Sequence, residues 1–216
     1  MSPTFLVISI VLFALWCLLL VISRATRGEQ LVLSLVGLAL APAIVFLALQ
    51  MAPGTSRQLG VEDFLFALSF FGIAAVIYEV MFGRHFVIIR SRVPTNHPNL
   101  AWIARLFLVI CAWIVISVLC FFILQLPMVR AMLAGALLIG VYVIAARKDL
   151  LGNALATGTF MAALIFVCEL LLGLRFHPTS LPSAFMTVSF VHLVWAAVVG
   201  FAIGPLYEYV RHLKAR

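Results

Sequence analysis

Charge is scarce in this sequence, and with it most of what a water-soluble domain needs. Only 10% of the 216 residues are charged while 66% are apolar, where soluble domains carry about a quarter charged and about half apolar residues. No polar stretch is long enough for a separate soluble domain, so residues 1–216 read as one transmembrane domain whose solvent is the bilayer. Lysine is nearly missing: Lys148 and Lys214 are the only two, both outside the apolar runs, which excludes a retinal Schiff base. No glycine-rich dinucleotide motif occurs. The four cysteines, Cys17, Cys111, Cys120 and Cys168, sit inside apolar runs without metal-like spacing, so neither a zinc site nor a disulfide framework is expected. The first four residues carry no positive charge, and the run after them reads as a retained helix rather than a cleaved signal peptide.

What is present is a series of long apolar runs. A helix needs roughly 20 such residues to cross a hydrocarbon core, and by that measure seven spans emerge: 3–23, 31–51, 61–83, 101–125, 127–146, 154–174 and 184–209. The fourth and fifth are nearly continuous and divide at Gln125, Leu126 and Pro127, since Pro favours a helix start. The net charge of +7 does not gather into a patch that would bind nucleic acid; it lies in short loops and sets orientation. Arg24, Arg27, Arg84, Arg90, Arg92, Arg147, Lys148, Arg211, Lys214 and Arg216 fall on one side, and Arg57, Arg130 and Arg175 on the other. Ten against three places the N-terminus outside and the C-terminus in the cytoplasm of a multi-pass cell-membrane protein. Pro42 and Pro205 are expected to kink their helices.

Seven spans accommodate a repeat of three, one and three, with both three-helix units in the same orientation. Spans one and two start at 3 and 31, spans five and six at about 127 and 154, and the third members end in Tyr78-Glu79 and Tyr207-Glu208. The expected architecture is therefore all-α: a bundle of seven transmembrane helices in two parallel three-helix halves, 1–83 and 127–216, joined by a connector helix at 101–125.

Ionisable groups inside a membrane are costly, so each is a candidate for function. Glu62 and Asp63 stand at the outer end of span three, Glu169 about one turn inside the outer end of span six, and His192 in the outer half of span seven. At the offset of 129 residues that aligns the Tyr-Glu pairs, His192 falls opposite Asp63. Glu79 and Glu208, near Tyr78, Tyr207, Arg84, Arg105 and Arg211, lie about 24 Å further along the helix. Their expected role is structural ion pairing with Arg105, Arg84 or Arg211 at the inner interface. For Glu62 and Asp63, helix capping is the competing role; for Glu169 and His192 it is interhelical hydrogen bonding.

Gly60-Val61-Glu62-Asp63-Phe64-Leu65-Phe66, followed by an apolar run ending in Tyr78-Glu79, resembles the motif helix of the integral-membrane, flavin-free lycopene cyclases. In their fused form two three-helix halves are joined by an extra helix. Gly60 stands where that family has Pro, and in the second half Ser189-Phe190-Val191-His192 offers no carboxylate pair. The resemblance implies acid-catalysed cyclisation of a linear polyene end group, with no cofactor and no metal. A carboxylic acid protonates a terminal double bond, aromatic faces shelter the carbocation and a base removes a ring proton. By this resemblance Glu62 or Asp63 is the acid and His192 or Glu169 the base. Phe66, Phe70 and Trp195, with Tyr78 and Tyr207, contact a hydrophobic isoprenoid or carotenoid. Two other readings stand beside it: a non-catalytic member of the fold that binds a carotenoid or lipid, alone or in a homo- or hetero-oligomer, and a small-solute transporter with its site between the repeats.

Overall fold

The structure is a computed structural model and describes residues 3–51, 60–83, 86–88, 98–176, 189–211 and 213–215. Arg57, Arg84, Arg90, Arg92 and Arg216, counted above for orientation, lie outside the described residues. The long elements are α1 (Pro3–Ile22), α2 (Arg27–Met51), α3 (Val61–Phe82), α4 (Pro98–Ile123), α5 (Met128–Ala146) and α6 (Leu151–Phe176). They are followed by α7 (Phe190–Ile203) and the short α8 (Leu206–Arg211). Two three-residue strands, β1 (Phe86–Ile88) and β2 (Leu213–Ala215), pair antiparallel and tie the segment after α3 to the segment after α8.

Six segments among the described residues are long and apolar enough to cross a bilayer: Phe5–Ile22, Val61–Phe82, Ala101–Ile123, Met128–Ala146, Lys148–Leu172 and Phe190–Arg211. The sequence reading counts α2 as the seventh. With every backbone group satisfied inside its own segment, helices of this kind suit hydrocarbon. Their outward faces carry Leu18, Val21, Phe107, Leu108, Phe122 and Ile123, all well exposed, a surface that lipid tolerates and water does not. The result is a helical bundle of membrane type.

Two local breaks follow from chemistry. Between α4 and α5 the chain reverses at Gln125, whose φ of 53° is in the left-handed region and whose amide donates to Phe122 O at 2.7 Å. Pro205 lacks an N–H, and the last span divides there into α7 and α8. Pro42, in contrast, lies inside a continuous α2.

The centre of the bundle is α3, buried at nearly every position from Glu62 to Glu79. It packs on α1 and α2, while α7 packs on α5 and α6; the two groups meet where α3 touches α6 and α7, and where α2 touches α5. Close approach rests on small residues, as it must where lipid offers no hydrophobic drive between helices. At Gly72 a Cβ would collide with Ser34 Oγ and Trp16 Nε1, the pair that joins α1 to α2 through a buried 2.8 Å hydrogen bond. Ser34→Ala leaves that indole N–H without an acceptor and is expected to cost about 1–2 kcal/mol, measured as a shift in the denaturation midpoint of the purified protein.

Candidate functional site

The ionisable residues collect at the two ends of α3. The end where α3 and α7 begin is called the head, and the end where α3 and α8 finish the foot.

At the head, the first backbone groups of α3 and α7 have no partners within their own helices, and carboxylates supply them. Asp63 Oδ2 accepts the Gly60 N–H at 2.9 Å, and the Asp63 N–H donates to Gly60 O at 3.1 Å. At the start of α7, Glu169 reaches across from α6: its Oε2 accepts the Ser189 N–H at 2.8 Å. Its other oxygen pairs with His192 Nδ1 at 2.5 Å. The Glu169 side chain is mostly covered, whereas His192 is about half exposed.

Glu62 differs from both. It is buried, its carboxyl group folds back over Gly60, where a Cβ would overlap it, and Oε2 has no hydrogen-bond partner. One helical turn below it, Phe66 starts an aromatic wall. Phe66 and Phe70 stack at 5.6 Å between centroids, and Trp195 lies 5.9 Å from Phe66 and 4.9 Å from Phe70. Phe5 adds a further face, 5.3 Å from Phe66. Because Trp195 is one turn below His192, the wall joins the starts of α3 and α7.

Tyr78 and Tyr207 do not belong to this wall. Fifteen residues of helix separate Tyr78 from Asp63, about 22 Å, and both tyrosines are buried at the foot. Arg211 Nη1 donates to the Tyr207 hydroxyl at 2.7 Å, and the guanidinium lies 5.4 Å from the Trp102 ring centroid and 5.5 Å from that of Tyr207. Of the arginines expected to pair with Glu79 and Glu208, Arg84 lies outside the described residues. Arg105 is exposed, and among the described residues no ion pair joins it to either carboxylate.

Glu208 is fully buried and accepts a hydrogen bond from Asn153 Nδ2. Asn153 also donates to Gly204 O at 3.3 Å and accepts from Thr157 Oγ1 at 2.9 Å. Glu29 is buried in the first turn of α2, and its Oε1 has no hydrogen-bond partner. Beside it, Gln30 donates to Trp16 O at 2.8 Å. Sequence reasoning passed over Glu29, Gln30, Asn153 and Thr157 because they lie at span ends, where polar residues are ordinary. The repeat held a signal: at the offset of 123 residues that aligns the second and sixth spans, Gln30 falls on Asn153, and both are buried amides.

No family model, curated protein or solved structure matches the chain.

Proposed function

We propose that the protein is a seven-span membrane protein, with α2 as the seventh crossing and the basic foot in the cytoplasm, that cyclises an end group of a linear polyene by acid catalysis at its head. The carrying observation is the position of Glu62: a buried carboxyl group with one oxygen free of protein partners, one turn above an aromatic wall shared by the two halves. Cyclisation needs a proton at a terminal double bond, faces rich in π-electrons beside the resulting cation, and an acceptor for the ring proton. On this reading Glu62 supplies the first, Phe66, Phe70 and Trp195 the second, and His192, paired with Glu169, the third. Asp63 and Glu169 are held as helix caps and support the reacting groups.

The test is expression in a bacterial host that accumulates lycopene. Cyclisation shifts the pigment from red toward orange or yellow, and chromatography resolves a cyclic product; an unchanged profile rejects the enzymatic reading. If the purified protein is coloured while the pigment profile is unchanged, it is a carotenoid-binding member of the fold. Gly60→Ala places a methyl group where the Glu62 carboxyl now lies. Displacement of a reacting group by about 1 Å costs on the order of 10²-fold, and product yield per unit of inserted protein is expected to fall accordingly.

A further inference from the structure

Where α4 packs against α8, the foot carries a feature that stands apart from the cyclisation reading. Arg211 closes the apolar segment Phe190–Arg211, and Trp102 is the second residue of Ala101–Ile123, so both lie at the rim of the hydrocarbon, where lipid headgroups begin. The rings of Trp102 and Tyr207 are 6.2 Å apart at 65°, and the Arg211 guanidinium sits over both, 5.4 Å and 5.5 Å from their centroids. Cation–π attraction thus engages its flat face. Its edge is differently placed. A guanidinium has five N–H donors in a planar fork, and among the described residues a single bond, from Nη1 to the Tyr207 hydroxyl, goes to protein. No carboxylate among those residues forms an ion pair with Arg211. The charge is therefore fixed in orientation with most of its donors unused.

The neighbours narrow the occupant. Trp16 and Trp113 donate their indole N–H groups to protein, at 2.8 Å and 3.1 Å, whereas Trp102 has no such acceptor among the described residues. Arg105, three residues along α4 from Trp102 and on the same face, is exposed. Two guanidinium groups flanking an indole offer donors only, so the partner is an acceptor, and an anionic one. The fork geometry of Arg matches the oxygens of a phosphate. The surroundings then favour a lipid over a soluble anion. Ile103, Phe107 and Leu108, next along α4, are exposed and apolar, a surface for acyl chains. Trp and Tyr favour the headgroup level, and Tyr142 and Tyr209, with hydroxyls 3.4 Å apart, mark that level on α5 and α8.

We infer that Arg211, held by Trp102 and Tyr207 and assisted by Arg105, binds the phosphate of an anionic phospholipid at the foot. The full-length protein in neutral detergent is titrated with phosphatidylglycerol, with phosphatidylcholine of the same acyl chains, and with inorganic phosphate. Bound lipid is counted by native mass spectrometry, and stability is read by tryptophan fluorescence on heating. Phosphatidylglycerol is expected to bind at one per chain, at least tenfold more tightly than phosphatidylcholine, and to raise Tm by about 5 °C at a hundredfold excess over Kd. Arg211→Gln is expected to abolish that preference. Arg211→Lys, which keeps the charge but loses the fork and the stacking, is expected to lose most of it. Arg105→Gln, at an exposed position, is expected to weaken binding about fivefold, the effect of one charge near the surface. Should Arg211→Gln fail to fold, Arg211→Lys and Arg105→Gln decide the matter. Equal affinity for the two lipids overturns the proposal, as does full preference retained in Arg211→Lys, which assigns the binding to diffuse positive charge. Inorganic phosphate that displaces the lipid at matching concentrations also overturns it and makes the foot a site for a soluble anion.

Discussion

Glu62→Gln is expected to lower the rate of polyene cyclisation by about 10³-fold, within the range a general acid supplies, while the protein still inserts and folds. The amide matches the carboxyl group in size and can occupy the same space over Gly60, but it has no acidic proton to give. Because Glu62 Oε2 has no hydrogen-bond partner, the substitution breaks no bond at that oxygen, and the denaturation midpoint is expected to stay within the range of a mild surface change. A large loss of product at unchanged stability is the signature of a reacting group.

Asp63→Asn gives the contrast. The side-chain oxygen of Asn accepts a backbone N–H as well as that of Asp does at a helix start, so the bond from Gly60 survives, and activity is expected to fall less than tenfold. Pigment yield in the lycopene-producing host, normalised to inserted protein, ranks the two variants. If Asp63→Asn abolishes product and Glu62→Gln retains it, the proton donor is Asp63 and the capping role is secondary.

The head was legible in the sequence because intramembrane ionisable residues are few and stand out against Leu, Val and Phe. Glu62, Asp63, Glu169 and His192 were all visible in that way, and so was the approximate correspondence of His192 with Asp63. Hidden from the sequence was the division of labour among them. At the offset of 129 residues Ser189 falls on Gly60, and both donate a backbone N–H to a carboxylate. In the first half that carboxylate is three residues on; in the second it arrives from α6, and the His at the corresponding position pairs with it. No one-dimensional spacing rule contains a contact between Glu169 and Ser189, which depends on how α6 lies against α7.

The foot failed to show for a related reason. Glu29 follows Arg27 near the start of a span, where a charge ordinarily reaches water, yet it is buried, which depends on packing between helices. Packing buries Glu29, Glu79 and Glu208 and leaves Arg105 exposed, which no spacing along one helix shows.

The contact that sets both ends is the crossing of α6 and α7, and Gly158→Leu is expected to destabilise the protein by about 3 kcal/mol or more, at the upper end of overpacking costs. A Cβ at Gly158 would lie 2.8 Å from Ala197 O and 3.2 Å from Phe201 Cβ, and one at Gly204 would lie 2.7 Å from Thr157 Cβ. The facing Gly200 would meet Met161 at 3.0 Å and the Gly158 Cα at 3.2 Å. Gly200 and Gly204 are four residues apart, the small-xxx-small spacing that lets membrane helices approach closely. The obstacle at Gly158 is a backbone carbonyl within a helix, which cannot rotate aside as a side-chain tip can. Gly152→Ala, six residues earlier on α6, is the matched control: its nearest neighbour is the Tyr78 hydroxyl at 3.6 Å, an ordinary contact. That change is expected to stabilise by roughly 0.5–1 kcal/mol through helix propensity alone. Thermal or denaturant midpoints of the two purified variants decide between a packing contact and a tolerant lipid-facing surface. Since α6 carries Asn153 and Thr157 at the foot and Glu169 at the head, forcing α7 away from it separates Asn153 from Gly204 and Glu169 from Ser189 together. Gly158→Leu should therefore reduce pigment cyclisation and lower the denaturation midpoint in the same variant, a joint loss that Glu62→Gln, which breaks no hydrogen bond at Oε2, does not produce.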